Sequence, residues 1–134
     1  MRNWIRTFPG LSLGCLLSLL GTQSNAQTPD AYWSGVWQAA GSPFMLRVRS
    51  QNDLLHVEAI DSMGLVWQNS PGTIQGDSAT FEVQYQGVTA TVLVQKTDAE
   101  TAIARPLSCR PDYHIVCALV QNQQALFVKQ HTSP

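Results

Sequence analysis

Residues 32–38 of the chain read YWSGVWQ, from Tyr32 to Gln38. Side chains alternate between the two faces of a β-strand, so Trp33, Gly35 and Trp37 share one face if this stretch is extended. Two indole rings on either side of a glycine are typical of the inner face of a small β-structure. The stretch therefore predicts the first strand of an all-β domain, over 31–39.

The segment before this strand has the three parts of a secretory signal. It begins with two arginines and no acidic residue, continues with an apolar run over about 11–20, and ends with small residues at Ser24 and Ala26. This order predicts a signal peptide over 1–26 and a single mature domain over 27–134. The expected location is secreted or periplasmic.

Two other interpretations of this segment are weaker. The apolar run is shorter than the roughly 20 residues that span a bilayer, which disfavours a transmembrane anchor. Lipidation at Cys15 ranks below simple secretion, because Ser12 stands where such signals favour a leucine. We therefore expect no stable membrane insertion after cleavage.

The charge of the mature domain excludes some partners. The two N-terminal arginines leave with the signal peptide, so six basic residues remain against nine acidic ones, and they form no basic run. Nucleic acids and anionic membranes are bound through clustered Lys and Arg. We therefore expect no nucleic-acid partner.

Two cysteines remain in the mature domain, Cys109 and Cys117. A pair of cysteines in an exported chain predicts a disulfide, whereas a metal site would need more ligands than this neighbourhood offers. The bridge would hold the segment between them in one shape. Four of its residues are candidates for an interaction loop: Arg110, Asp112, Tyr113 and His114.

Alternation of apolar and polar residues between turn residues predicts eight or nine strands. Their expected ranges are 31–39, 44–50, 54–60, 65–67, 79–85, 88–95, 99–107, 115–120 and 125–130, with at most a short strand around Ile74 in a loop over 69–77. The segment 99–107 could also be helical by propensity, but Pro106 would limit such a helix to about two turns.

The connections between these strands are mostly short. Short connections join antiparallel neighbours, and a sheet of this many strands avoids exposed edges by closing on itself. The sequence therefore predicts an antiparallel up-and-down β-barrel of about eight strands. A β-sandwich is the alternative, with its crossovers at 69–77 and 106–112.

The stretch Gly35-Val36-Trp37 resembles the calycin group, which includes lipocalins, avidins and small bacterial protease inhibitors. In that group a Gly-x-Trp on the first strand closes one end of the barrel, and a basic residue on the last strand packs over the tryptophan. The resemblance implies that Trp37 and Lys129 close the barrel here. A cation over an indole face stabilises by roughly 0.5 to 2 kcal/mol.

The expected function is non-catalytic binding of a small, largely apolar molecule inside the barrel, since a barrel of about eight strands either fills its interior or holds one small ligand. The candidate ligand-binding residues are Trp33, Trp67, Phe81, Tyr85 and Arg105. One alternative is an inhibitor or interaction module that acts on a secreted protein through the Cys109–Cys117 loop, because a constrained loop loses less entropy on binding.

A second alternative is a small cyclase or isomerase with a buried acid–base pair, such as Tyr85 with Arg105 or His114. No nucleophile with an adjacent base is identifiable, so we expect no catalytic residue of that kind. His56 and Glu58 on one strand face could contribute to a metal site, but they are more often a solvent-facing pair. No cofactor is expected.

Overall fold

The computed structural model describes Gly10, Gly21 and residues 28–131; the predicted signal peptide otherwise lies outside the described residues. Within the described part the elements are α1 (Pro29–Trp33), β1 (Gly35–Ala39), β2 (Met45–Gln51), β3 (Leu54–Asp61), β4 (Gln68–Asn69), β5 (Gly72–Gln75), β6 (Ser78–Tyr85), β7 (Val88–Lys96), β8 (Thr101–Arg110), α2 (Ile115–Val120) and β9 (Ala125–Gln130).

The strands form a closed antiparallel barrel. Going round the ring, β1, β2, β3, β5, β6, β7, β8 and β9 pair in that order, and β9 pairs again with β1. The short β4 pairs with the part of β6 that β5 leaves free. The prediction of an up-and-down barrel of about eight strands is confirmed, and the β-sandwich alternative is not.

Tight turns set the register of the hairpins. Asn52 and Asp53 join β2 to β3, and Gln86 and Gly87 join β6 to β7, all with positive φ. Two consecutive residues of this kind make the turn whose twist matches that of paired strands. Such turns leave no room for crossovers, so each strand lies beside the next one along the ring.

Because the strands alternate in direction, their connections lie alternately at two ends of the barrel. One end, here called the closed end, carries α1 and the connections at 52–53, 76–77 and 97–100. The other, here called the open end, carries the connections at 40–44, 62–67 and 86–87 and the segment with α2, 111–124.

The predicted first strand is wrong over its first part. Residues 29–33 form a helix, and the strand begins only at Gly35. Pro29 occupies the first turn, where its missing N–H is not needed, and the Thr28 hydroxyl accepts a hydrogen bond from the Ala31 N–H at 3.2 Å. Pro29 therefore begins a helix instead of interrupting regular structure.

The predicted strand over 115–120 is also wrong, because this segment is α2. The Nδ1 atom of His114 accepts a hydrogen bond from the Val116 N–H at 3.2 Å, and this caps the helix. Helical spacing turns Val116 and Val120 to the same side, towards the barrel. The β-branched content of the segment favoured a strand, but these tertiary contacts and the cap outweigh it.

The middle of the chain needs a smaller correction. Residues 65–67 are not a strand; β4 begins just after them, and the short strand expected around Ile74 is β5. At Gly72 a Cβ atom would lie 2.5 Å from the backbone oxygen of Thr80. The glycine therefore permits a close approach of β5 to β6.

The segment 99–107 is confirmed as a strand, which begins at Thr101 and continues past Pro106 to Arg110. Pro106 and Ser108 of β8 face Val92 and Thr91 of β7, so Leu107 is an extra residue in the pairing. A proline is tolerated in a strand at such a bulge. The crossover that the β-sandwich alternative placed at 106–112 therefore does not exist.

Candidate functional site

The barrel encloses a cavity of about 290 Å³, here called the main cavity. Its wall is formed by inward-facing residues of all eight ring strands except β5, together with α1 and the 40–44 and 62–67 connections. The lining residues are aliphatic and aromatic: Trp33, Trp37, Phe44, Leu46, Val48, Leu55, Val57, Leu65, Trp67, Phe81, Val83, Tyr85, Val92, Val94, Ala102, Ala104 and Phe127. This wall presents apolar atoms to the interior.

Aromatic side chains close the floor of the main cavity. The Tyr32 ring meets the Trp33 ring at a centroid distance of 4.8 Å and the Trp37 ring at 5.6 Å, both edge to face. The Trp37 Nε1–H donates a hydrogen bond to the Trp33 carbonyl oxygen at 2.9 Å. All three rings are buried, and together they form the floor of the cavity.

Lys129 fastens α1 to the floor. Its ammonium lies 5.4 Å from the Trp37 ring centroid and donates hydrogen bonds to the carbonyl oxygens of Ala31 at 2.9 Å and Tyr32 at 2.6 Å. Both oxygens belong to the C-terminal part of α1, so the ammonium binds at the end of this helix. Burial lowers the pKa of Lys129, and the charge of Glu100 opposes part of that shift.

Tyr32 links the floor to β8. Its hydroxyl donates a hydrogen bond to the Thr101 carbonyl oxygen at 2.7 Å, and the Lys96 ammonium lies 4.6 Å from its ring centroid. Burial, with smaller contributions from the negative charges of Asp98 and Asp77, raises the pKa of Tyr32 to about 12. The neutral phenol is therefore the stable form in the folded barrel.

The open end has the opposite character. Phe44 packs with its ring centroid 6.3 Å from those of Trp67 and Phe127, and these three rings form one side of the mouth. Beyond them the 62–67 connection leaves Met63 and Val66 55% and 85% exposed. The cavity thus opens through a rim that is itself apolar.

The structure brings together four of the five residues predicted to bind ligand. Trp33, Trp67, Phe81 and Tyr85 all line the main cavity. Trp33 reaches it from α1 rather than from the first strand.

Arg105 is placed differently from the other four. It pairs with Leu93 on the outer face of the sheet, is exposed, and borders a second cavity of about 240 Å³.

Sequence reasoning missed most of the aliphatic wall and two aromatic residues, Phe44 and Phe127. Both had been placed in strands, and the alternation that placed them also gave the inward side. The sequence pattern did not show which strands become neighbours when the barrel closes. Closure brings β1, β2 and β9 together at the mouth.

Cys109 and Cys117 form a disulfide that ties α2 to β8. Of the four predicted loop residues, Arg110 ends β8, Asp112 is exposed, and Tyr113 is 86% exposed. His114 is half-buried and caps α2 through its Nδ1 atom. The loop is therefore presented at the open end with one ring directed to solvent.

The proposed catalytic and metal groups are not assembled. In the part of the chain that the structure describes, no hydrogen bond joins Tyr85 to Arg105 or His114, and no group of three or more His, Cys, Asp or Glu side chains is placed to hold a metal ion. Glu58 forms an exposed ion pair with Arg49 at 3.1 Å. His56 pairs in register with the same arginine on the outer face.

Comparisons with protein-family models, with curated proteins and with solved structures give no match. The closed antiparallel barrel is consistent with the calycin resemblance at the level of architecture. Among the described residues, no helix is long and apolar enough to cross a membrane.

Proposed function

We propose that this chain is an exported binding protein that holds a small, largely apolar molecule inside a calycin-like barrel. The observation that carries the proposal is the main cavity, about 290 Å³ in volume, with a wall of aliphatic and aromatic side chains. Apolar pockets of roughly this size are typical of small-molecule sites. The interior is therefore available to a ligand rather than filled by its own side chains.

The energetics favour an apolar occupant. Each methylene moved from water into an apolar cavity contributes about 0.8 kcal/mol. A charged or strongly polar group inside the main cavity would lose its hydration without gaining a hydrogen bond, since the wall presents apolar atoms. A polar group on the ligand would thus lie at the mouth, near Trp67.

The disulfide supports the exported location. Disulfides persist in oxidising compartments, and Cys109 and Cys117 are bonded here. Together with the signal peptide expected over 1–26, this supports secretion or a periplasmic location.

Native mass spectrometry of the oxidised protein, purified without denaturation, would identify a natural occupant as a mass lost on unfolding. Binding itself is tested by titrating the purified protein with N-phenylnaphthylamine, an uncharged probe that fluoresces in apolar surroundings. We expect saturable binding that quenches tryptophan emission, because Trp33 and Trp67 line the main cavity.

A matched pair of variants locates the probe. Val57 faces the main cavity, whereas the adjacent His56 lies on the outer face of the same strand. Val57→Trp should fill the cavity and weaken binding at least about tenfold, and His56→Trp should leave it within about twofold. Equal affinity in the two variants, or the absence of saturable binding, would contradict the proposal.

One observation favours a second candidate, a protein-binding role for the disulfide loop. Tyr113 is 86% exposed on the segment that the disulfide holds in place. Exposed aromatic anchors on an ordered loop are common in protein interfaces. A secreted partner that binds the wild type but neither Tyr113→Ser nor the reduced protein would support this role, and equal binding by all three would contradict it.

A further inference from the structure

The second cavity lies inside the barrel beside the main cavity. It measures about 240 Å³ and is lined by residues of β6, β7, β8 and α2. Four residues line both cavities: Val83, Tyr85, Val92 and Ala104. All four face inward, so the two cavities adjoin within one lumen rather than on opposite sides of the sheet.

α2 forms the outer wall of the second cavity. Val116 and Val120, one helical turn apart, contribute their side chains to it, while Ile115 and Leu119 point away and are 66% and 68% exposed. The helix therefore has one face towards the cavity and one towards solvent.

The bulge in β8 explains why the helix sits over the lumen. Ala102, Ala104 and Pro106 face inward by simple alternation, which would turn Cys109 outward. The extra residue Leu107 shifts the alternation, so that Cys109 pairs with the inward-facing Ala90. The disulfide from Cys109 then holds α2 across the mouth instead of against the outside of the barrel.

The two adjoining cavities give the interior an elongated shape. The wall on β7 extends from Val88 to Val94, and at the strand rise this is roughly 20 Å of chain, or about 15 Å along the axis of a barrel with ordinary tilt. Both cavities are lined largely by aliphatic and aromatic side chains. The shape suits a flexible hydrocarbon chain better than a compact ring system.

We propose that the barrel takes a single elongated hydrocarbon chain, which enters at the mouth near Trp67, keeps any polar end there, and runs through the main cavity into the second cavity under α2. This inference rests on the proposed function, because it names the class of ligand for the same lumen. It adds that the second cavity is a subsite and that α2 is its wall.

The experiment measures affinity for straight-chain carboxylates from hexanoate to hexadecanoate, by displacement of N-phenylnaphthylamine below the micelle concentration. In the wild type, affinity should rise about fourfold for each added methylene until the chain fills both cavities, and then level off. Val120→Trp fills the second cavity. In this variant the affinity should therefore stop rising at a chain length several carbons shorter than in the wild type, and the affinity for short chains should be unchanged.

Leu119→Trp is the matched control, since it places the same ring on the exposed face of α2. Its curve should coincide with that of the wild type. Ala90 lines the second cavity from the barrel wall, so in Ala90→Leu the affinity should also stop rising at a shorter chain length. This variant keeps the test valid if Val120→Trp does not fold. Thermal unfolding verifies that each variant is folded.

The outcomes separate the two proposals. If the chains bind but the Val120→Trp and Ala90→Leu curves coincide with the wild type, the second cavity is not part of the site and this inference fails alone. If neither the probe nor any chain binds, the proposed function fails and this inference fails with it.

Discussion

At the closed end, Tyr32, Trp33 and Trp37 are at most 3% exposed, whereas at the open end Met63 and Val66 are 55% and 85% exposed. Both ends are built from large apolar side chains. The closed end satisfies its polar groups internally, through the Lys129 ammonium and the Tyr32 hydroxyl. Stability and access are thus separated along the barrel axis, and mutations at the two ends should affect different properties.

The largest difference should appear when one tryptophan is removed from each end. Trp37→Ala deletes a buried ring that packs under Lys129, and we expect it to lower the free energy of unfolding by about 3 to 5 kcal/mol. Trp67 lies half-buried at the mouth, so Trp67→Ala should lower the free energy of unfolding by about half as much. It should also weaken probe binding, because the ring lines the main cavity. Urea unfolding measures both. Equal losses would end the distinction between the two ends.

Removing the disulfide tests how strongly α2 is held at the open end. Replacing Cys109 and Cys117 together by serine should lower stability by about 2 to 3 kcal/mol on the chain-entropy model. Hydrogen exchange should show early opening of α2, while amides at the closed end keep their relative protection. Uniform loss of protection at both ends would show that α2 is integral to the barrel.

A pair of glycines compares the two ends at the level of the backbone. Gly35 has φ +140°, and a Cβ there would lie 2.8 Å from Cε of Lys129, whereas Gly64 in the open-end connection has φ +79° and open space around its Cβ position. We expect Gly35→Ala to lower the free energy of unfolding by about 2 to 3 kcal/mol, because the new methyl group adds a steric contact to the backbone strain. Gly64→Ala should lower it by about 1 kcal/mol, from backbone strain alone. Chemical denaturation of both variants checks this order.

The smallest effect concerns alkaline pH. Because the pKa of Tyr32 is raised from 10.0 to about 12 in the fold, the unfolded chain loses the phenol proton first. The contribution of Tyr32 to the free energy of unfolding is fully present below pH 10 and is lost as the pH rises from 10 to 12. The loss should be no more than about 2 kcal/mol. Lys129 acts in the opposite direction and at lower pH: its pKa is lowered from 10.5, so the folded state loses the ammonium proton before the unfolded chain does, and stability rises as the pH approaches 10.5.

Tyr32→Phe isolates the contribution of the phenol. This variant loses the hydrogen bond to Thr101 at all pH values but should show a shallower loss of stability above pH 10. Denaturation at several alkaline pH values gives the slope. An unchanged slope in Tyr32→Phe would mean that other groups cause the alkaline loss.

The local pattern of the sequence was sufficient for the barrel and for much of the site. Strict alternation in β6 and β7 placed Phe81 and Tyr85 on the inner face, and the structure finds both in the cavity wall. At 99–107 a strand was preferred because the neighbouring strands are hairpin partners, and Pro106 limited the helical alternative to about two turns; the structure confirms the strand. Alternation is a local property, and one buried face is enough to determine it.

Local pattern failed where tertiary contacts override propensity. The segment 115–120 is rich in residues that favour strands, yet it is helical, because Cys109 faces the lumen and a capped turn of helix fits across the mouth. That orientation depends on one extra residue, Leu107, whose effect is visible only in the pairing of β8 with β7. No periodicity in the segment itself carries this information.

Sequence alone therefore determined an all-β chain with its inward strand faces and its paired cysteines. Only the tertiary structure decided that Trp33 reaches the floor from a helix, that α2 covers part of the mouth, and that the interior is hollow. The physical reason is that strand faces follow from each residue's immediate neighbours. A cavity is the volume left when strands distant in the chain have closed, and no short stretch specifies it.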